Sequence, residues 1–325
     1  MRLRVASFNL ESLDDDPARQ PPFAERLAAL GPLLGRLDAD VLCLQEVNAQ
    51  RPERHGPRLL TALDQLLAGT AYRGWPRAVS RTAHGHPLDI HNLVIVSRFP
   101  IVAERQHHHS RVPPLSWSLL TDGAATVEVR FDRPLLAATL ALPDGRPLHV
   151  FNVHLRAPLA SPIPGQKLAP FVWRTTAGWA EGFLLAGWKR IAQALELRLA
   201  LDELLDQDPA ARLLVAGDFN ADLAETPLRL VRADLDDTGN PALSSRSLIA
   251  LEGRVEGGAP YSVIHRGRRL LLDHLLVSAS LAAAHRATTI WNGELQDEVH
   301  APLAGVRPPL GFHAPLVVEL ELEGA

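Results

Sequence analysis

The chain has 325 residues, 46% of them apolar, and a formal charge of −4. That composition supplies a full-sized core and excludes global disorder. The near-neutral charge argues against tight, extended binding along a nucleic-acid backbone, which depends on a basic surplus, and leaves room only for a local basic patch.

No run of eighteen apolar residues is present, so no membrane-spanning helix is expected. The first strand-like segment begins at Leu3, which leaves no space for a secretory leader, and a cytoplasmic protein is the expectation. Cys43 is the single cysteine and lies in an apolar run, which excludes a disulfide framework or a cysteine zinc site. The only lysines are Lys167 and Lys189; a compositional preference for arginine explains this more simply than phosphate recognition.

Leu3 to Leu10 alternates and predicts a strand ending at Asn9. Phe23, Leu27, Leu30, Leu34 and Leu37 recur at helical spacing. Val41 to Leu44 is a short buried-strand run with Glu46 just beyond it, and His55 to Leu67 is weakly helical. Asn92 to Ser97 is a further buried strand. Ala124 to Arg130, Leu135 to Ala141 and Leu148 to His154 follow as strands, the last two joined by the turn Pro143 to Arg146. Residues 156–187, with four prolines, four glycines, Trp173 and Trp179, read as an insertion, either a lid over substrate or a loop packed on its own protein. Trp188 to Leu205 predicts a long helix, Leu213 to Ala216 a buried strand entering Gly217-Asp218, and Leu270 to Val277 and Pro315 to Leu322 the last strands. Strands in two groups around a helical region fit one domain over residues 1–325, an α/β sandwich of two packed mixed sheets with helices outside.

The strand ends carry the chemistry. Asn9 and Glu46 each close a predicted strand and form an oxygen-donor pair suited to magnesium, with Glu11 a nearby second carboxylate. Asp218 and Asn220 flank Phe219, so an extended segment projects both to one face. His154 and His313 can share proton transfer and phosphate stabilisation, and Asp273, costly to bury among leucines without a partner, is the candidate that orients His313. The run His107-His108-His109 could bind metal, but reads more simply as an exposed loop, because consecutive histidines do not converge easily on one ion. Arg266, Arg268 and Arg269 read as a solvated turn or a contact to a phosphate backbone.

The ordered motifs S-F-N (Ser7 to Asn9), Q-E (Gln45-Glu46), V-I-V-S-R-F-P-I (Val94 to Ile101), N-V-H-L (Asn152 to Leu155), G-D-F-N (Gly217 to Asn220), L-D-H (Leu272 to His274) and H-A-P (His313 to Pro315) span nearly the whole chain. As a set they resemble the endonuclease/exonuclease/phosphatase superfamily of deoxyribonuclease I and the exonuclease III class. The resemblance implies a four-layered α/β sandwich and a Mg²⁺- or Mn²⁺-dependent phosphodiesterase or nuclease. It places the ion at Asn9 and Glu46, with Glu11 where some members have a second acid. It puts His154 and Asn220 on the scissile phosphate, Asp218 on the attacking water, and Asp273 with His313 as an acid/base pair. The family usually has Asp directly before the last histidine; this chain has Phe312. The same fold serves phosphatases and phosphodiesterases of small molecules and lipid head groups, so the substrate stays open, as does a catalytically impaired binding protein.

Overall fold

A computed structural model describes residues 1–323 apart from 122, 124 and 256–259. The first half contains β1 (Arg2–Leu13), α1 (Phe23–Leu37), β2 (Val41–Val47), α2 (Thr61–Ala68), β3 (Arg77–Val79), β4 (Asn92–Ser97), β5 (Ile101–His107), β6 (Leu115–Ser118) and β7 (Thr126–Val129). It continues through β8 (Leu135–Ala141), β9 (Pro147–His154), β10 (Lys167–Ala169), β11 (Val172–Trp173) and the long α3 (Thr176–Gln207). The rest comprises β12 (Arg212–Asp218), α4 (Thr226–Arg232), β13 (Ile249–Ala250), β14 (Val263–His265), β15 (Arg268–Leu270), β16 (Asp273–Val277), α5 (Ala279–Ala282), β17 (His285–Ile290), α6 (His300–Leu303) and β18 (Leu316–Glu321).

Two six-stranded sheets result, ordered β17-β18-β1-β2-β4-β3 and β13-β16-β12-β9-β8-β5. Both are mixed: β1 and β2 pair in parallel in one, β9 and β12 in the other. Alternation of side chains explains the layers. Leu3 and Val5 of β1, Val41 and Cys43 of β2, Leu148 and Val150 of β9, and Leu214 and Ala216 of β12 fill the space between the sheets. Ala6 and Phe8 face the leucines of α1, and Phe151, Val153, Leu213 and Val215 face α3 and α4. The four layers are helix, sheet, sheet, helix.

Some expectations need correcting. Residues 176–187, read as part of an insertion, are the beginning of α3. The weak helix at His55 forms only from Thr61, because residues 52–58 are turns and coil. The strand expected from Ala124 spans Thr126–Val129, and Ala124 itself lies outside the described residues. His107 is a buried strand end stacked near Phe151, whereas His108 and His109 follow in a bend, His108 exposed and His109 stacked on Phe131 at 3.8 Å between ring centroids, so only part of the histidine run is an exposed loop. Leu270 closes the hairpin β14–β15 instead of opening β16, and Arg269 lies over the Tyr261 ring at 4.7 Å. Among the described residues no helix is long and apolar enough to cross a membrane.

Candidate active site

Topology delivers the polar residues to one end. The C-terminal ends of β1, β2, β9 and β12 meet there, together with the N-terminal starts of their antiparallel neighbours β18, β4, β8 and β16. Along each strand the inward-facing positions change from apolar to polar. Leu3 and Val5 are followed by Ser7 and Asn9, Val41 and Cys43 by Gln45, Leu148 and Val150 by Asn152 and His154, and Leu214 and Ala216 by Asp218. Gln45 and Asn152 form the floor: the Gln45 amide donates to the Asn152 oxygen at 2.7 Å, and Asn152 donates to the carbonyls of Leu44 and Val94, each at 2.9 Å.

Glu46 follows Gln45 and would face the helices by simple alternation. Its φ of 56° and a register shift between Leu44 and Val47 reverse that parity and turn its carboxylate toward Asn9. Asn9 donates to Glu46 Oε1 at 3.3 Å and to Asp218 Oδ2 at 3.1 Å, which links the two sheets at the site. Glu11 and Ser12 also adopt positive φ. The Ser12 amide and hydroxyl then reach Glu46 Oε2 at 3.0 and 3.2 Å. The Glu11 carboxylate lies against Gly311, where an added Cβ would sit 3.1 Å from Oε2. Arg26 fastens this corner, donating to the carbonyls of Leu10, Glu11 and Pro309.

His313 Nδ1 bonds Asp273 Oδ2 at 2.8 Å, and its Nε2 points to Asp218, 4.0 Å from Oδ2. Although burial opposes it, the charge of Asp273, with help from Asp218, holds the His313 pKa well above the usual imidazole value. Burial, then Asp273, pushes Asp218 up to about 7. Burial also raises Glu11. For Glu46 burial works upward as well, but His91, His313 and Arg133 prevail and hold its carboxyl below the ordinary range.

Two members of the site had not been anticipated. Arg133, just before β8, is buried and contacts His154 Nδ1. A guanidinium only donates, so Nδ1 carries no proton and Nε2–H faces Asp218 Oδ2 at 3.5 Å and Glu46 Oε1 at 3.7 Å. Burial and Arg133 keep His154 neutral at neutral pH. His91, just before β4, lies 3.2 Å from Ser12 Oγ and 3.6 Å from Glu46. Both stand at strand starts that the antiparallel pairing brings to this end.

Asn9, Glu46, Glu11, His154, Asp218, Asp273 and His313 thus converge. Asn220 is displaced from its expected place: its φ is 49°, so it sits in a turn after β12 rather than an extended segment. Its backbone amide donates to Asp218 Oδ1 at 2.8 Å, and its side chain donates to the Leu155 carbonyl at 3.1 Å. Asp218, Asp273 and His313 offer ligand atoms within 4.8 Å of one another. Asp273 Oδ1 is buried without a hydrogen-bond partner. Four clustered carboxylates, one of them with that orphaned oxygen, and the Asn9 amide form a hard-oxygen donor set that fits Mg²⁺ or Mn²⁺. Beside His313 opens a cavity of about 600 Å³ lined mainly by apolar side chains, among them Trp291, Leu295, Pro308 and Leu310.

The model of the Endonuclease/Exonuclease/phosphatase family matches residues 6–297. No curated protein matches the chain in sequence. Among solved structures, a mannosyl-6-phosphatase from Bacteroides thetaiotaomicron VPI-5482 is similar at 17% identity, with a TM-score of 0.62 over 98% of this chain and 100% of that one. A 3′-5′ exonuclease from Neisseria meningitidis is 19% identical, with a TM-score of 0.56 over 98% and 100%. An endonuclease/exonuclease/phosphatase from Bacteroides vulgatus is 14% identical, with a TM-score of 0.61 over 99% and 100%. At these identities the likeness establishes the fold.

Proposed function

This chain belongs to the endonuclease/exonuclease/phosphatase family, and from that premise we propose that it is a Mg²⁺- or Mn²⁺-dependent phosphoester hydrolase acting on a phosphodiester. The observation that carries the reading is the meeting of four buried or half-buried carboxylates, the Asp273–His313 pair and the buried Arg133 at one end of the sandwich. Asn9, Glu46 and Glu11 would hold the ion, and a bound ion there neutralises phosphoryl oxygens.

The remaining roles fall to the protein's own groups. His154 Nε2–H and Arg133 are donors for phosphoryl oxygens, and Asn220 keeps one amide hydrogen free of Leu155 for the same use. Asp218, whose proton affinity lies near neutrality, accepts the proton of the attacking water. Asp273 fixes His313 with Nδ1–H inward, so that Nε2–H meets the departing oxygen. Glu11 answers the departure at Phe312: its carboxylate lies beside the residue where the family acid is missing, delivered from β1 instead. This counts against an impaired binding protein.

The apolar cavity next to His313 favours a second reading, in which the ester carries a small organic or lipid-head-group moiety rather than a nucleic acid. Hydrolysis of bis(p-nitrophenyl) phosphate, plasmid DNA and single-stranded RNA, each with Mg²⁺, Mn²⁺ or chelator, separates the two. Asp218→Ala removes all activity under the proposal. Absence of cleavage on every substrate, together with absence of ion binding by calorimetry, defeats both readings.

A further inference from the structure

Residues 156–191 leave the second sheet after His154 and return along α3. The segment is rooted at the site: Arg190 donates to the Asn220 carbonyl at 3.0 Å, and Gln193 holds the Arg133 carbonyl and the Arg156 amide. Its inner side has its own core, where Ile163, Trp173, Leu185 and Trp188 pack with Leu119 and Val129. The segment also exposes large apolar side chains. Leu159, Leu168, Phe171, Val172, Trp179 and Phe183 are between 44% and 86% exposed. Phe171, the most exposed of them, stands at the tip of the β10–β11 hairpin with a φ of 65°. In the first turns of α3, Trp179 and Phe183 stack on each other at 5.5 Å between centroids. So many large apolar side chains exposed along one short segment point to a contact with something else.

Charge identifies the occupant. From Arg156 to Ile191 the chain carries five cations (Arg156, Lys167, Arg174, Lys189, Arg190) and one acid, Glu181, a net +4 within a chain of −4. Glu181 is buried, with its carboxylate occupied by the Trp117 indole, the Leu120 amide and Thr121. Arg156 and Lys189 pair with Asp132 at the root. Lys167 and Arg174, which flank the hairpin, have no ion-pair partner among the described residues. The Lys167 ammonium sits over the Trp173 ring at 4.2 Å and near the Phe171 ring at 5.8 Å, a cation held on the aromatic hairpin itself, while Arg174 is exposed. An aromatic tip between unpaired cations suits an anionic bilayer interface.

We propose that the hairpin Lys167–Trp173 and the first turns of α3 dock on an anionic lipid surface, Phe171 entering the acyl boundary while Lys167 and Arg174 meet lipid phosphates. Docking does not require hydrolysis, so it stands or falls apart from the proposed function. Single-stranded nucleic acid would use the rings by stacking but has no use for Leu159, Leu168 and Val172. A second copy of the chain would use the outer face of α3.

The test is cosedimentation of the purified protein with vesicles of phosphatidylcholine alone and of equal parts phosphatidylcholine and phosphatidylglycerol. Binding to the anionic vesicles, weakened by salt and accompanied by a blue shift of tryptophan emission, is expected. Phe171→Asp lowers partitioning by about tenfold or more. Neutralising Lys167 and Arg174 to Gln lowers it by about fivefold per charge. Phe171 and Arg174 are exposed and Lys167 is half-buried, and an unchanged thermal midpoint confirms that the variants fold. The proposal is overturned by failure to bind either vesicle, by equal binding to both, or by variants that bind like the parent. It is equally overturned if Phe171→Asp abolishes oligonucleotide binding and no vesicle is bound, or if sedimentation velocity shows a dimer that Leu184→Asp dissolves and no vesicle is bound.

Discussion

Gly217→Ala is the sharpest probe of how the site is held together. Gly217 has a φ of 144°, a region open to glycine alone, and an added Cβ would lie 2.0 Å from the Val153 carbonyl oxygen and 2.8 Å from its carbon. These atoms belong to the β9 backbone, paired in register with Gly217, so no side-chain rotation relieves the overlap. The backbone conformation costs about 1–3 kcal/mol and the displacement of β12 from β9 about 1–3 kcal/mol more. A loss of about 4 kcal/mol corresponds to a fall in melting temperature of roughly 6 °C for a chain of this length. The separation also moves Asp218 from His154, its register partner, so any hydrolysis falls with stability. Calorimetry and urea unfolding measure the effect. Gly187→Ala is the internal contrast: the position is helical, nothing lies within 4 Å of the added Cβ, and about 0.5–1 kcal/mol of stabilisation is expected. A Gly217→Ala protein within about 1 kcal/mol of the parent would refute the close approach of β9 and β12.

Three other outcomes follow from the geometry. Asp273→Asn leaves the fold intact but removes the charge that orients and protonates His313, and kcat falls by about 10²–10⁴ in steady-state assays. Glu11→Gln weakens Mn²⁺ binding by about 10–100-fold in calorimetry, whereas Phe312→Asp restores part of that loss in the double variant. His107 is buried beside Arg111, and burial followed by that charge lowers its pKa to about 4. Because the unfolded chain takes up this proton first, stability is lost as pH falls from about 6.5 toward 4, by at most about 2 kcal/mol. His107→Phe flattens that part of a urea-midpoint profile.

The core strands could be read from the sequence where burial on both faces makes a strand continuously apolar: Asn92–Ser97 and Leu135–Ala141 are found at the expected bounds. The polar ends of β1, β2, β9 and β12 were legible for the same reason, since each interrupts an apolar run. Arg133 and His91 were not, because they precede strands and acquire meaning only once antiparallel pairing brings those starts to the site. β17 (H-R-A-T-T-I) escaped notice as an edge strand with a mostly solvated face. The first turns of α3 escaped because glycine and tryptophan there obscure helical periodicity, and the buried Glu181 breaks it further. The parity reversal at Glu46 depends on a backbone conformation that no residue type announces.

The Gln45–Asn152 floor and the Asn9–Asp218 bond above it join residues 107 and 209 positions apart. Each sheet therefore completes its own hydrogen-bond ladder while owning only half of the polar end. A chain in which both sheets have formed but have not yet closed on each other would have a native-like circular dichroism spectrum and no assembled carboxylate cluster. Closure also presses Glu46 and Asp218 together, so a divalent ion that recognises only the closed form pulls this last step forward by mass action. In refolding, secondary structure is expected to return ahead of ion binding, and the interval between them times the meeting of the two sheets.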